Sequence, residues 1–107
     1  MPDDPLDLGR FAEPALSILV VLSGGPRHGY AIMVEVESLT GSPMGPGTLY
    51  GALARLERRG LIEALPTEDR RRPYRLTGLG EATARAQLER LRSMAQSGLA
   101  RLDERAR

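Results

Sequence analysis

Two stretches of this 107-residue chain place arginine, threonine and tyrosine where they could hold phosphates and base edges. The first is Pro46-Gly47-Thr48-Leu49-Tyr50-Gly51-Ala52-Leu53-Ala54-Arg55-Leu56-Glu57-Arg58-Arg59-Gly60. Proline fits a first helical position, where its missing N–H costs nothing, and Gly60 suits a left-handed cap, so the stretch predicts a helix over 46–60. Leu49, Ala52, Leu53 and Leu56 fall at i, i+3, i+4, i+7 and form one apolar stripe. The opposite face carries Gly47, Gly51, Ala54 and Arg58, with Thr48, Tyr50 and Arg55 on its flanks. Small residues let such a helix approach a surface closely, and the polar residues at its edges can reach phosphates or bases. The second stretch is Glu68-Asp69-Arg70-Arg71-Arg72-Pro73-Tyr74, whose three consecutive guanidinium groups suit phosphate or minor-groove contact. Taken singly, each stretch also fits an ordinary solvated arginine face.

Other chemistry lacks its parts. The chain has no Walker A loop, no Gly-x-Ser-x-Gly, no His-Glu-x-x-His and no Cys/His pair. His28, the sole histidine, has no ligand or catalytic partners near it in sequence and reads as a cap or packing residue where a helix begins. Tyr30 reads as a core residue. Glu35 and Glu37 stand two apart and face different sides of a helix. With no cysteine there is neither a disulfide nor a thiolate metal site. The chain is therefore expected not to be an enzyme and to hold no metal or cofactor. No apolar run approaches the roughly 18 residues of a membrane span. The most apolar one, Ala15 to Leu22, follows Asp3, Asp4 and Asp7 rather than the basic start of a signal peptide, which fits a cytoplasmic protein.

The formal net charge of +1 hides an uneven distribution. Residues 1–47 hold two arginines against six acids, a net of −4; residues 48–76 hold seven against four, a net of +3; residues 77–107 hold six against four, a net of +2. The basic surplus begins at the first of the two stretches. All 15 cations are arginine, the residue suited to bidentate contact with phosphate or guanine, although G+C-rich coding accounts for the bias equally well.

The remaining elements read in order. Residues 1–10 form a loose arm. A nearly all-apolar helix runs from Glu13-Pro14 to Leu22, stopped by Gly24-Gly25-Pro26, and belongs at the centre of the fold. A second helix, with Ile32, Val36 and Leu39 on one face, follows Pro26-Arg27-His28-Gly29 and ends at Thr40-Gly41. The short turn Ser42-Pro43-Met44-Gly45 joins it to the 46–60 helix, a helix-turn-helix pattern. Leu61–Leu65 and Tyr74–Leu76 read as the strands of a hairpin, with Pro66 and Pro73 at its rim. Thr77 is a plausible N-cap for a last helix extending to about Arg105. Along that helix Ala84, Leu88, Leu91, Ala95, Gly98 and Leu102 alternate spacings of three and four, flanked by Met94 and Leu99, a coiled-coil-like seam for a second chain. The fold class is thus mainly α with a small β-hairpin: a winged helix-turn-helix over 11–77, then a long C-terminal dimerisation helix over 78–107. In that arrangement the second helix of the pair reads DNA.

Several blocks of the chain resemble the PadR family of bacterial transcriptional regulators. They are Leu16 to Leu22, His28-Gly29-Tyr30-Ala31-Ile32, Pro46-Gly47-Thr48-Leu49-Tyr50, Ala52-Leu53-Ala54-Arg55-Leu56-Glu57, Gly60-Leu61-Ile62 and Tyr74-Arg75-Leu76-Thr77-Gly78-Leu79-Gly80. Together they cover residues from about 12 to 82, and the length resembles the branch of the family with a single C-terminal dimerisation helix. The resemblance implies a homodimeric repressor that binds a pseudo-palindromic operator in double-stranded DNA and releases it on a signal such as a small hydrophobic or aromatic effector. It places Thr48 and Tyr50 near the DNA backbone. Gly47, Gly51, Arg55, Arg58, Arg70, Arg71, Arg72 and Tyr74 complete the expected DNA-binding set; Ala84, Leu88, Leu91, Met94, Ala95, Leu99 and Leu102 are the expected dimer contacts. The chain departs from the family at the wing tip, which has no glycine, and in having no tryptophan for stacking an aromatic ligand. An effector pocket is expected between the first and last helices, with Met94 and Leu99 as walls. The rival reading, kept open by the acidic first half, is a winged-helix protein-interaction module without specific DNA binding.

Overall fold

The computed structural model describes residues 14–106, so the arm expected over 1–10 lies outside the described residues. The order is α1 (Pro14–Leu22), β1 (Arg27–His28), α2 (Gly29–Thr40), α3 (Pro46–Arg58), β2 (Ile62–Ala64), β3 (Pro73–Leu76) and α4 (Gly78–Arg105). Burial of Ile18, Leu19, Val21 and Leu22 puts α1 at the centre, as its apolar composition demands. Ile32 and Val36 of α2, the whole Leu49-Ala52-Leu53-Leu56 stripe of α3, Ile62, Tyr74 and Ala84 complete one core. Leu39, expected beside Ile32 and Val36, is exposed at the edge of a shallow groove between α1 and α2.

The sheet is larger than the expected hairpin. It has three antiparallel strands in the order β1-β3-β2, with Arg27 opposite Tyr74 on one side and Ala64 opposite Tyr74 on the other. β3 is therefore central, and Pro73 is tolerated in it as the first residue of the strand. A two-residue strand carries no periodicity, which is why β1 is invisible in the sequence. Between two strands, Tyr74 turns its side chain into the core, so its expected place among the DNA contacts is corrected.

Two joints fix α3 against the rest. At its end Gly60 adopts φ 75°, and the Gly60 and Leu61 N–H groups donate to the Glu57 and Leu56 carbonyls (both 3.0 Å), a complete Schellman cap. Thr77 then fastens α4 to that cap. Its hydroxyl donates to the Gly60 carbonyl (2.6 Å) and accepts from the Gly80 N–H (3.0 Å), while its own N–H donates to the Leu61 carbonyl (3.1 Å). Gly80 lies so close to the cap that a Cβ there would stand 1.9 Å from the Leu61 oxygen.

After this joint α4 leaves the domain. Its 28 residues span about 42 Å, and every described residue from Arg85 onward is exposed. Ala84, the first seam residue, is instead buried in the domain's own core, which removes it from the expected dimer contacts. Leu88, Leu91, Met94, Leu99 and Leu102 remain uncovered.

Candidate nucleic-acid interface

The outer face of α3 matches the expected geometry. Gly47, Thr48, Tyr50, Ala54, Arg55 and Arg58 are exposed and Gly51 is half-buried, while the opposite stripe anchors the helix. The glycines there are not demanded by the fold: a Cβ at Gly47 would meet nothing within 4 Å, and one at Gly51 only the Arg55 guanidinium at 3.8 Å. Glycine inside a helix costs roughly 0.5–1 kcal/mol relative to alanine, and packing within the domain does not require either of these two. Among the described residues, Arg55, Arg58, Arg59, Arg70 and Arg72 make no ion pair, whereas Arg27 is held by Glu35 (2.6 Å) and Arg75 by Glu63 (2.9 Å). Among the described residues the arginines of α3 and the wing tip are thus without ion pairs, as are Arg85, Arg90, Arg101 and Arg105 of α4.

The wing turns without glycine. Glu68 and Arg71 exchange backbone hydrogen bonds of 2.7 and 2.8 Å, with Asp69 at φ 48° and Arg70 at φ 66° between them. Positive φ at both central positions is the signature of a type I′ turn, whose twist matches that of the strands it joins. Asp69 and Arg70 accept the left-handed conformation at a cost of order 1 kcal/mol or more each. Arg70 and Arg72 are exposed, and Arg71 folds back until its Nη1 is 3.2 Å from His28 Nε2.

His28 was expected to cap a helix, and it does: its Nδ1 accepts from the Ala31 N–H at 3.4 Å. Beside it, a Cβ on Gly29 would stand 2.5 Å from the Tyr50 hydroxyl, so only glycine lets the tyrosine lie across the start of α2. The start of α2 thus meets the wing through His28 and Arg71 and meets α3 through Gly29 and Tyr50. Sequence reasoning missed the contact of His28 with the wing because Arg71 lies 43 residues away and comes alongside only through β1. Tyr30 corrects the opposite way: 67% exposed, it is a surface residue of α2 and no part of the core.

A cleft lies between the first and last helices, but Met94 and Leu99 do not line it. Its volume is about 620 Å³; it lies between the end of α1, β3 and the first half of α4, lined by the apolar Leu22, Leu76, Ala84 and Leu88 and by the charged Arg75, Glu81, Arg85, Glu89 and Arg92. Met94 and Leu99 stand farther along α4, outside it.

The model of the transcriptional regulator PadR-like family matches residues 18–86. A transcriptional regulator from Clostridium thermocellum is 30% identical with a TM-score of 0.69, over 78% of this chain and 87% of that one. RosR of H. salinarum is 32% identical with the same TM-score of 0.69, over 80% and 79%. A 37.1 kDa protein in transposon TN4556 of Streptomyces fradiae is 45% identical over 71 residues; these are 66% of this chain and 21% of that protein, so the match spans about a fifth of the relative.

Proposed function

Because the chain belongs to the PadR-like family of transcriptional regulators, we propose that it is a sequence-specific DNA-binding repressor acting as a homodimer on a pseudo-palindromic operator. The observation that carries this reading is the outer face of α3, where small residues without an internal role are bordered by Thr48, Tyr50, Arg55 and Arg58. Gly47 and Gly51 give clearance for a groove. Thr48 and Tyr50 take the backbone, Arg55 and Arg58 reach base edges or phosphates, and Arg70, Arg71 and Arg72 hold the flanking strand.

A second copy is the occupant proposed for α4. Leu88, Leu91, Met94, Ala95, Leu99 and Leu102 form an exposed apolar seam that a monomer leaves in water. A two-fold pair would bring two α3 helices to half-sites about one helical turn apart. The cleft between α1 and α4 has an apolar floor and a rim of both signs, Arg75, Arg85 and Arg92 with Glu81 and Glu89, and its apolar floor supports a small hydrophobic or aromatic effector. The test is a mobility-shift assay with DNA upstream of the chain's own gene in excess nonspecific competitor. A specific complex supports the repressor; no complex, with a stable protein partner recovered instead, favours the interaction-module reading.

A further inference from the structure

The tautomer chemistry of His28 sets its two contacts beside the wing against each other. A neutral imidazole has one ring nitrogen that accepts and one that donates. Here a backbone N–H from Ala31 faces Nδ1 at 3.4 Å, and a guanidinium nitrogen of Arg71 faces Nε2 at 3.2 Å. Guanidinium only donates. When Nδ1 accepts the cap bond, the proton is on Nε2, and two donors point at each other across 3.2 Å. When Nε2 accepts from Arg71, Nδ1–H faces the Ala31 N–H and the cap is lost. Neither neutral tautomer satisfies both contacts, and the imidazolium satisfies neither.

An acceptor placed between Nε2–H and the Arg71 guanidinium resolves the conflict and keeps the cap. We infer that a DNA backbone phosphate seats on His28 and Arg71 together, pinning the helix-turn-helix and the wing to one strand; this rests on the DNA-binding reading above. A phosphate oxygen can accept from both groups, with charge assistance from the guanidinium. The location supports the source. The Tyr50 ring of α3 lies against Gly29, next to His28, so the phosphate would sit near the backbone contact proposed for Tyr50. The cleft around the pair also bears Arg27, Glu68 and Asp69. Arg27 is occupied by Glu35, which leaves the His28 Nε2–H and the Arg71 guanidinium as the donors for a phosphate, with Glu68 and Asp69 in the same cleft opposing it by their charge.

One histidine in the chain makes the test direct. The full-length protein, labelled with ¹⁵N-histidine, is titrated with a duplex of its upstream DNA, with anisotropy read on the same samples. The duplex is expected to move the His28 ring resonances in step with binding, and Arg71→Ala to abolish that movement. His28→Asn keeps a good N-cap but lacks the distal nitrogen. It should fold normally by circular dichroism and bind roughly tenfold more weakly, whereas Arg71→Ala, which removes a charge, should also lower the salt exponent by about one. Binding that leaves the ring resonances unmoved, or losses from His28→Asn and Arg71→Ala that simply add, overturns the shared phosphate. Equal movement with inorganic phosphate alone, undiminished by competing duplex, overturns DNA as the source. No anisotropy change in any sample refutes the DNA reading itself.

Discussion

The Tyr50 ring lies across Gly29 so closely that a Cβ on that glycine would stand 2.5 Å from the hydroxyl oxygen and 3.2 Å from the ring edge. The contact joins the His28-Gly29-Tyr30 block to the Pro46–Tyr50 block and sets where the tyrosine stands on the outer face. Tyr50 is 53% exposed and can swing away, so Gly29→Ala should cost little stability, of order 1 kcal/mol. It should nevertheless weaken DNA binding by displacing Tyr50. In a Tyr50→Phe background the same substitution should be cheaper, and urea unfolding of the four-protein cycle reads the difference. Equal costs in both backgrounds would remove the Gly29–Tyr50 coupling.

Gly47 and Gly80 should respond oppositely to alanine. Gly47 has open space around it, so Gly47→Ala should stabilise the fold by about 0.5–1 kcal/mol while reducing DNA affinity. At Gly80 the obstacle is the Leu61 carbonyl, which no rotamer change can move, so Gly80→Ala should cost about 2–3 kcal/mol. Denaturant midpoints and anisotropy on the same samples check both. A Gly47→Ala variant that binds DNA as tightly as the parent would end the groove-clearance argument.

The wing tip stores conformational strain in Asp69 and Arg70. Replacing the pair by Asn-Gly, the preferred type I′ sequence, should raise stability by about 1 kcal/mol. Loss of the Arg70 charge should also lower the salt-dependence exponent of DNA binding by about one if Arg70 meets a phosphate. A rise in midpoint without a change in exponent would keep the turn and remove Arg70 from the interface.

Charge on the α4 seam should yield a monomer without unfolding the domain. Leu91 and Leu102 are exposed in the single chain, so Leu91→Glu and Leu102→Glu together cost the monomer almost nothing. In a pair they would put like charges into the interface. Light scattering should read half the parental mass with unchanged helicity by circular dichroism. An unchanged mass would assign dimerisation elsewhere.

The helices were legible because each carried its own boundary chemistry: Pro46 and Gly60 bracket α3, and the Thr77 cap opens α4 where expected. Periodicity located the α3 stripe residue by residue, since burial on a helix follows a fixed angular step. Non-local relationships were not legible. β1 is two residues long, and its pairing with β3 makes Tyr74 a core residue and brings Arg71 to His28. Ala84 continues the seam by spacing, yet the tight joint at Gly80 holds that first part of α4 against the core. Tyr30 shows the converse: an aromatic in a strongly patterned block whose phase faces solvent.

The most direct measurement is a salt titration of binding to a duplex of the chain's own upstream DNA, against scrambled duplex, for the parent, Arg55→Ala and the Arg70, Arg71, Arg72→Ala triple variant. The parent should prefer its own duplex and lose affinity steeply with salt. Arg55→Ala should shrink that preference, and the triple variant should weaken both duplexes alike and flatten the slope by up to about three. A parent that binds both duplexes equally, with a slope the triple variant leaves unchanged, would contradict sequence-specific binding through α3 and the wing.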